Sequence, residues 1–334
     1  MVAQKEIDLN SPLNADAPAS LSKTSLTPEL TNAALVLHGD NFKQSQAKLS
    51  RYILVHPIAI TLYTVACPLV IARSLWDYIE ISDNLIEFYQ ILMRNKTDFV
   101  FCLFSALPML AAVFGCFGML AYILGDELGS ITNKFIAQRY CDHVFGFDVK
   151  KFANVIDGNS SLAALGKNTE IVVYRDSPIA IATIKPDYEQ STKDNLIVKI
   201  TGIHVRKVFQ KVDFDQMLIE WAVLRSRELY QEYLKSKKIT SGKTNGSILI
   251  TMDAYSFDKQ GENLLIKNGF KLLNKSIVLN PYDSKLNKLQ KSIHQFLGLT
   301  KDSFGLLLTT DSEDVELIKD SSLLRNENSA KRRA

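Results

Sequence analysis

Two long runs without a single charged residue constrain this chain more than any other feature. Tyr52 to Ala72 reads YILVHPIAITLYTVACPLVIA between Arg51 and Arg73. Phe99 to Leu124 reads FVFCLFSALPMLAAVFGCFGMLAYIL between Asp98 and Asp126. A membrane-crossing helix needs roughly 20 apolar residues, and both runs supply them. Soluble helices of such length keep a polar face. These have none, so the chain is predicted to form a membrane α-hairpin, with spans over 52–72 and 99–124. Pro57, Pro68 and Pro108 do not oppose this reading, because a lipid-embedded helix tolerates proline when neighbours satisfy the freed backbone groups. Ala111, Ala112, Gly115, Gly118 and Ala121 would let the two helices pack closely.

Orientation follows from the flanking bases. Lys43, Lys48 and Arg51 precede the first span, and Lys134, Arg139, Lys150 and Lys151 follow the second. The loop between the spans, 73–98, sets Arg73, Arg94 and Lys96 against Asp77, Glu80, Asp83, Glu87 and Asp98. Both termini are therefore expected in the cytosol and the short acidic loop in the lumen. The loop holds a glycosylation sequon at Asn95, close to the second span; the sequons at Asn159, Asn245 and Asn274 fall on the cytosolic side.

The rest of the chain reads as one cytosolic unit between polar tails. Residues 1–25 are rich in Ser, Asn and Pro and lack the apolar core of a signal peptide. They read as a disordered tail, followed by a juxtamembrane segment over 26–51 and, past the hairpin, a connecting segment over 125–168. The net charge of +3 gives no push towards nucleic acid. Cys67, Cys102, Cys116 and Cys141 show no metal-ligand or C-x-x-C spacing. Neither a disulfide framework nor a metal is expected.

From 169 to 310 the pattern becomes mixed α/β. TEIVVYRDSPIAIATIKP reads as a strand pair turning at Arg175–Pro178, and Leu196 to Val205 as a third strand. A helix from Phe214 to Lys235 places Phe214, Leu218, Trp221 and Leu224 at helical spacing. SGKTNG reads as a loop and SILITMD as a fourth strand. Ser256 to Asn268 reads as a second helix, ended by Gly269 as its C′ residue. FKLLNKSIVLN reads as the final strand. The acidic stretch up to Asp320 and the polar tail 311–334 need no role beyond solubility. Lys331-Arg332-Arg333-Ala334 echoes basic retrieval signals, though an arginine stands where a lysine is usual.

This order of elements resembles the GNAT acetyltransferase superfamily. VRKVFQKVDFDQMLIEWA, Val205 to Ala222, looks like the family's cofactor loop, Q/R-x-x-G-x-G/A running into a helix, with Gln210 at its first position. ENLLIKNGF looks like the late motif that ends at Gly-Phe. The resemblance implies an acetyl-CoA site, and the departures argue against one. The loop glycines, which let backbone N–H groups approach a pyrophosphate, are Asp213 and Asp215 here. Two like charges at about 4 Å repel by about 1 kcal/mol in bulk water and about 4 at an effective dielectric of 20. The tyrosine that often acts as general acid falls at Leu265, which has no proton to give. In the third strand only His204 could act as a base. The expectation is a GNAT-like fold without catalytic residues and without a cofactor. A membrane-anchored N-acetyltransferase using acetyl-CoA is the alternative.

A second resemblance covers nearly the whole chain. LTPELTNAALVLHGDNFKQSQAKLSRYILVHP (Leu26 to Pro57), GDELGSITNKF and FGFDVKKFA are similar to the fungal endoplasmic-reticulum factor needed for export of the high-affinity phosphate transporter. That resemblance implies a packaging chaperone of the endoplasmic-reticulum membrane. Its partners would be a polytopic phosphate transporter, the lipid bilayer and vesicle coat machinery, with no nucleic acid.

Overall fold

A computed structural model describes residues 20–154, 164–192, 194–237, 246–282 and 286–309. The basic C-terminus, the acidic stretch after Thr309, most of SGKTNG, and the sequons at Asn159 and Asn245 lie outside them. The chain opens with strand β1 (Leu21–Ser25) and helix α1 (Thr31–Leu54). Then come α2 (Pro57–Ser74), α3 (Trp76–Ile81), α4 (Leu85–Arg94) and the 41-residue α5 (Lys96–Ile136). Two short helices, α6 (Cys141–Phe145) and α7 (Val149–Ala153), lead to strands β2 (Thr169–Tyr174), β3 (Ser177–Asp187) and β4 (Asn195–Val205). The chain continues with α8 (Phe214–Ser236), β5 (Ser247–Tyr255), α9 (Lys259–Lys267), β6 (Lys271–Ser276), α10 (Lys288–Leu297) and β7 (Lys301–Thr309).

The strands form one mixed sheet in the order β1-β2-β3-β4-β5-β7-β6. Only β4 and β5 run parallel, joined by a crossover through α8. The β2–β3 hairpin turns where predicted. Arg175 (φ 49°) and Asp176 (φ 58°) both adopt the left-handed conformation that matches the twist of a two-residue hairpin. Gly269 (φ 82°) ends α9 as its C′ residue, and Phe270 N donates to Leu265 O at 3.0 Å. At the other end of α9, the Asp258 carboxylate accepts from Gly261 N at 3.3 Å.

α8 covers one face of the sheet, burying Leu218, Ile219, Ala222 and Leu229 against Val172, Ile184, Val198 and Ile250. α1, α6, α7 and the end of α5 cover the other, with Ala34, Leu37, Phe135, Phe145 and Phe152 against Ile171 and Ile181. Each such Val, Leu, Ile or Phe side chain contributes about 1.5–3 kcal/mol by leaving water.

Several boundaries differ from the sequence reading. The polar stretch read as a tail to residue 25 contains β1, which pairs antiparallel with β2 from Leu21↔Tyr174 to Ser25↔Glu170. Residues 26–51, read as juxtamembrane, are largely α1, which forms a layer of the domain because Ala33, Ala34, Leu37, Leu49 and Ile53 share its buried face. The connecting segment contains the end of α5 together with α6 and α7. The strand read as final, β6, is an edge, and β7 inserts between it and β5.

The hairpin stands apart. α2 and α5 are long and apolar enough to cross a bilayer, yet only 6% of the most apolar window of each is buried. A core helix of a soluble protein would be mostly covered, so these helices present lipid-compatible surface. The hairpin is rooted on the domain by Leu49 and Ile53 of α1, Leu124, Leu128 and Ile131 of α5, and Phe257, Leu279, Leu297 and Leu299.

Candidate functional site: a forked sheet spanned by α1

β4 and β5 pair from Asn195↔Ser247 to Ile200↔Met252 and then part. β4 runs on to Val205 bound only to β3, and β5 runs on to Tyr255 bound only to β7. A bulge marks the fork. Ile184 pairs with Ile200 and Thr183 with Gly202, so Thr201 has no partner residue on β3. Its hydroxyl lies 2.7 Å from Val144 O, to which it donates, and 3.2 Å from Thr183 O on β3. A bulge bends its strand and increases its twist, which carries the end of β4 away from β5. The resulting cleft has a volume of about 600 Å³.

α1 crosses this cleft and is fixed to it at three places. His38 stands against Gly202; a Cβ there would lie 2.8 Å from both Cε1 and Nδ1 of the ring, so the close approach requires glycine. Lys48 Nζ bridges to Asp258 Oδ2 at 2.7 Å, linking α1 to the start of α9. Gln210 Nε2 lies 3.3 Å from Gln44 Oε1, to which it donates, and 3.4 Å from Val205 O on the unpaired edge of β4.

The cleft holds neutral histidines and compensated acids. His204 is buried, and its Nε2 has no hydrogen-bond partner among the described residues. Burial, helped by the nearby Lys48 and Arg206 charges, lowers its pKa to about 4. His38 is lowered to about 3 by burial and by His204, and its Nε2 lies 2.9 Å from Thr183 Oγ1. Burial raises the Asp215 carboxyl; Lys48 opposes the rise, and Asp258 and Asp213 add to it. For Asp253 burial works upward too, but Lys199 at 2.8 Å, Ser303 at 2.7 Å and Lys301 at 3.6 Å together hold it below its ordinary value.

Of the residues singled out from sequence, Gln210, Asp215, Leu265 and His204 meet at this cleft. Asp213 flanks the start of α8, and its side chain makes no cap bond there. Asp215 lies in the first turn of α8, where the helix dipole favours negative charge. It thus supplies from within the chain the charge that a bound anion would bring. Leu265 is buried in the core. A neutral imidazole with pKa near 4 is a weak proton acceptor at neutral pH. Among the described residues no group of three or more His, Cys, Asp or Glu could hold a metal ion. His38, Gln44, Lys48, Asp253 and Asp258 escaped the sequence reading. The one local signal was Gly202, since a glycine inside a strand pattern marks close approach of another group.

Among solved structures, the chain is similar to a Bacillus anthracis protein in complex with acetyl coenzyme A. The two share 12% identity over 42% of this chain and 61% of that one, with a TM-score of 0.28. It is similar to a GNAT-family acetyltransferase of Streptococcus pneumoniae at 13% identity over 44% and 74% of the two chains, TM-score 0.28. Arabidopsis thaliana Naa50 in complex with a bisubstrate analogue is similar at 10% identity over 53% and 93%, TM-score 0.28. The chain spans 61% of the length of the first of these. No curated protein matches the sequence. The model of the inorganic phosphate transporter chaperone Pho86 matches residues 3–308, and the chain belongs to that family.

Proposed function

We propose that this chain is a non-catalytic chaperone of the endoplasmic-reticulum membrane that helps a polytopic phosphate transporter fold or leave that compartment. Both termini face the cytosol. The hairpin shields helix faces of the client inside the bilayer, and the cytosolic domain is the side from which vesicle coat machinery is reached. The observation that carries this reading is a hairpin left uncovered yet rooted on a folded domain, in a chain of a transporter-chaperone family. Two spans are too few for the repeat architecture of a secondary transporter. In cells lacking the chain, the phosphate transporter should remain in the endoplasmic reticulum while other cargo leaves normally. Normal surface delivery of that transporter overturns the proposal.

The non-catalytic part rests on Asp215 and Leu265. Asp213→Gly combined with Asp215→Gly should leave export unchanged. A membrane-anchored N-acetyltransferase is the second reading, favoured by the open cleft beside His204, whose Nε2 has no hydrogen-bond partner among the described residues. Titrating acetyl-CoA into the full chain in detergent separates the two. Micromolar binding would defeat the non-catalytic reading while leaving the export test standing.

A further inference from the structure

Between the two membrane-crossing helices the chain does not form a plain loop. α3 and α4 are helical, and among the described residues α4 makes its main contacts with its chain neighbours α3 and α5. Leu85, Ile86, Tyr89 and Met93 of α4 are exposed, Leu85 at 88% and Ile86 at 74%. At 3.6 residues per turn these four fall within an arc of about 100°. Phe88, Ile91 and Leu92 are half-buried on another side, and Glu87, Gln90 and Arg94 form a narrow polar edge. In the preceding α3, Trp76, Ile79 and Ile81 are exposed as well.

We propose that this stripe is a lipid-binding surface, and that α4 lies in the luminal interface of the bilayer with Leu85, Ile86, Tyr89 and Met93 among the upper acyl chains. The proposal rests on the two-span reading above. Continuity with the spans fixes the position. The 18 residues of α2 at 1.5 Å each make about 27 Å, the hydrocarbon thickness of an endoplasmic-reticulum membrane. Trp76 therefore emerges at the headgroup level, where Trp and Tyr concentrate. At the other end, a single residue separates Arg94 from α5. With both ends held at the surface, a helix with an open apolar stripe and a polar edge lies in the plane of the interface.

Charge selects the kind of lipid. From Leu75 to Asp98 the segment carries five acids (Asp77, Glu80, Asp83, Glu87, Asp98) against Arg94 and Lys96. Anionic headgroups repel such a segment, so the surface it fits is zwitterionic, and the attraction is apolar and insensitive to salt.

The full chain reconstituted in phosphatidylcholine vesicles tests this. Trp76→Phe removes the tryptophan of the segment and leaves Trp221, buried in the domain, as a constant background. Into that chain go, one at a time, Ile86→Trp on the stripe, Gln90→Trp on the polar edge and Phe104→Trp on an exposed position of α5. Phosphatidylcholine brominated in the upper acyl chain should reduce the added fluorescence of Ile86→Trp and Phe104→Trp and spare Gln90→Trp. Added phosphatidylserine should not deepen the loss. Quenching at Phe104→Trp without quenching at Ile86→Trp overturns the interfacial helix alone and leaves the stripe to another protein's helix. Equal quenching at Ile86→Trp and Gln90→Trp also overturns it. Quenching at neither Ile86→Trp nor Phe104→Trp overturns both this proposal and the two-span reading.

Discussion

The domain and the hairpin are built from the same kinds of residue and dispose of them in opposite ways. In the domain, Val172, Ile181, Leu196 and Ile250 are wholly enclosed, and each sits on a strand with partners on both sides. In the hairpin, Phe101, Phe104, Met119 and Tyr122 are largely bare, though α2 and α5 are the most apolar stretches of the chain. An apolar side chain gains from leaving water and not from touching protein as such. What differs is the solvent each region was selected for. The two regimes meet in a narrow zone, where α1 and the end of α5 pack against Phe257, Leu279, Leu297 and Leu299.

Truncations on either side of that zone separate the regimes most sharply. Leu128→Ala, at the root, should cost about 2–5 kcal/mol of domain stability through lost burial and an unfilled cavity. Phe104→Ala, on the exposed part of the same helix, should leave the denaturant midpoint in detergent unchanged. Equal effects would mean that the hairpin is not energetically distinct from the domain.

Gly202→Ala comes next. Its Cβ would press on the His38 ring, and such overpacking costs about 1–3 kcal/mol. His38→Ala opens the space, so the double variant should be more stable than the sum of the two losses predicts, a coupling that thermodynamic cycles read directly.

Acid should also loosen α1 from the sheet. His38 and His204 titrate at about 3 and about 4 in the folded chain against an ordinary 6.5. The unfolded chain therefore binds more protons across that window, so their contribution is complete above pH 6.5 and fades as the pH falls towards 4. Glu127 acts in the opposite sense. Burial raises its pKa to about 7, Leu279 N–H opposes and Asp126 adds, so it erodes stability as pH rises from 4.5 to 7. Glu127→Gln should steepen the acid loss between pH 7 and 5, and His38→Gln should flatten it, in denaturant midpoints taken at both values. Smallest of all is Lys48→Ala. Its ion pair with Asp258 is partly exposed, and such pairs contribute about 0.2–1 kcal/mol.

Much of the fold was legible because it is written in local pattern. The two apolar helices needed only length and absence of charge, although the first begins at Pro57 and not at Tyr52, because α1 runs to Leu54 and the chain turns at Val55 and His56. The β2–β3 turn was marked by the Asp176-Ser177-Pro178 run, the end of α9 by Gly269, and α8 by its apolar spacing. β1 was not legible, since Leu21 to Ser25 carries no alternation of its own and becomes a strand only by pairing with β2. Nor was the place of β7, which depends on a choice of neighbours across the whole domain. The same limit applies to the site. Gln210, Asp215 and Leu265 stood out against the acetyltransferase loop pattern, but Lys48 and Asp258 are 210 residues apart, and no local signal joins them.

The continuity of α5 sets how far the domain can act. Its 41 residues at 1.5 Å each extend about 61 Å, twice the roughly 30 Å hydrocarbon core, and only Val55 and His56 separate α1 from α2. The domain has no leash. If α2 and α5 cross a bilayer as proposed, it is a footplate held close against one membrane face, and whatever engages it must come to that surface.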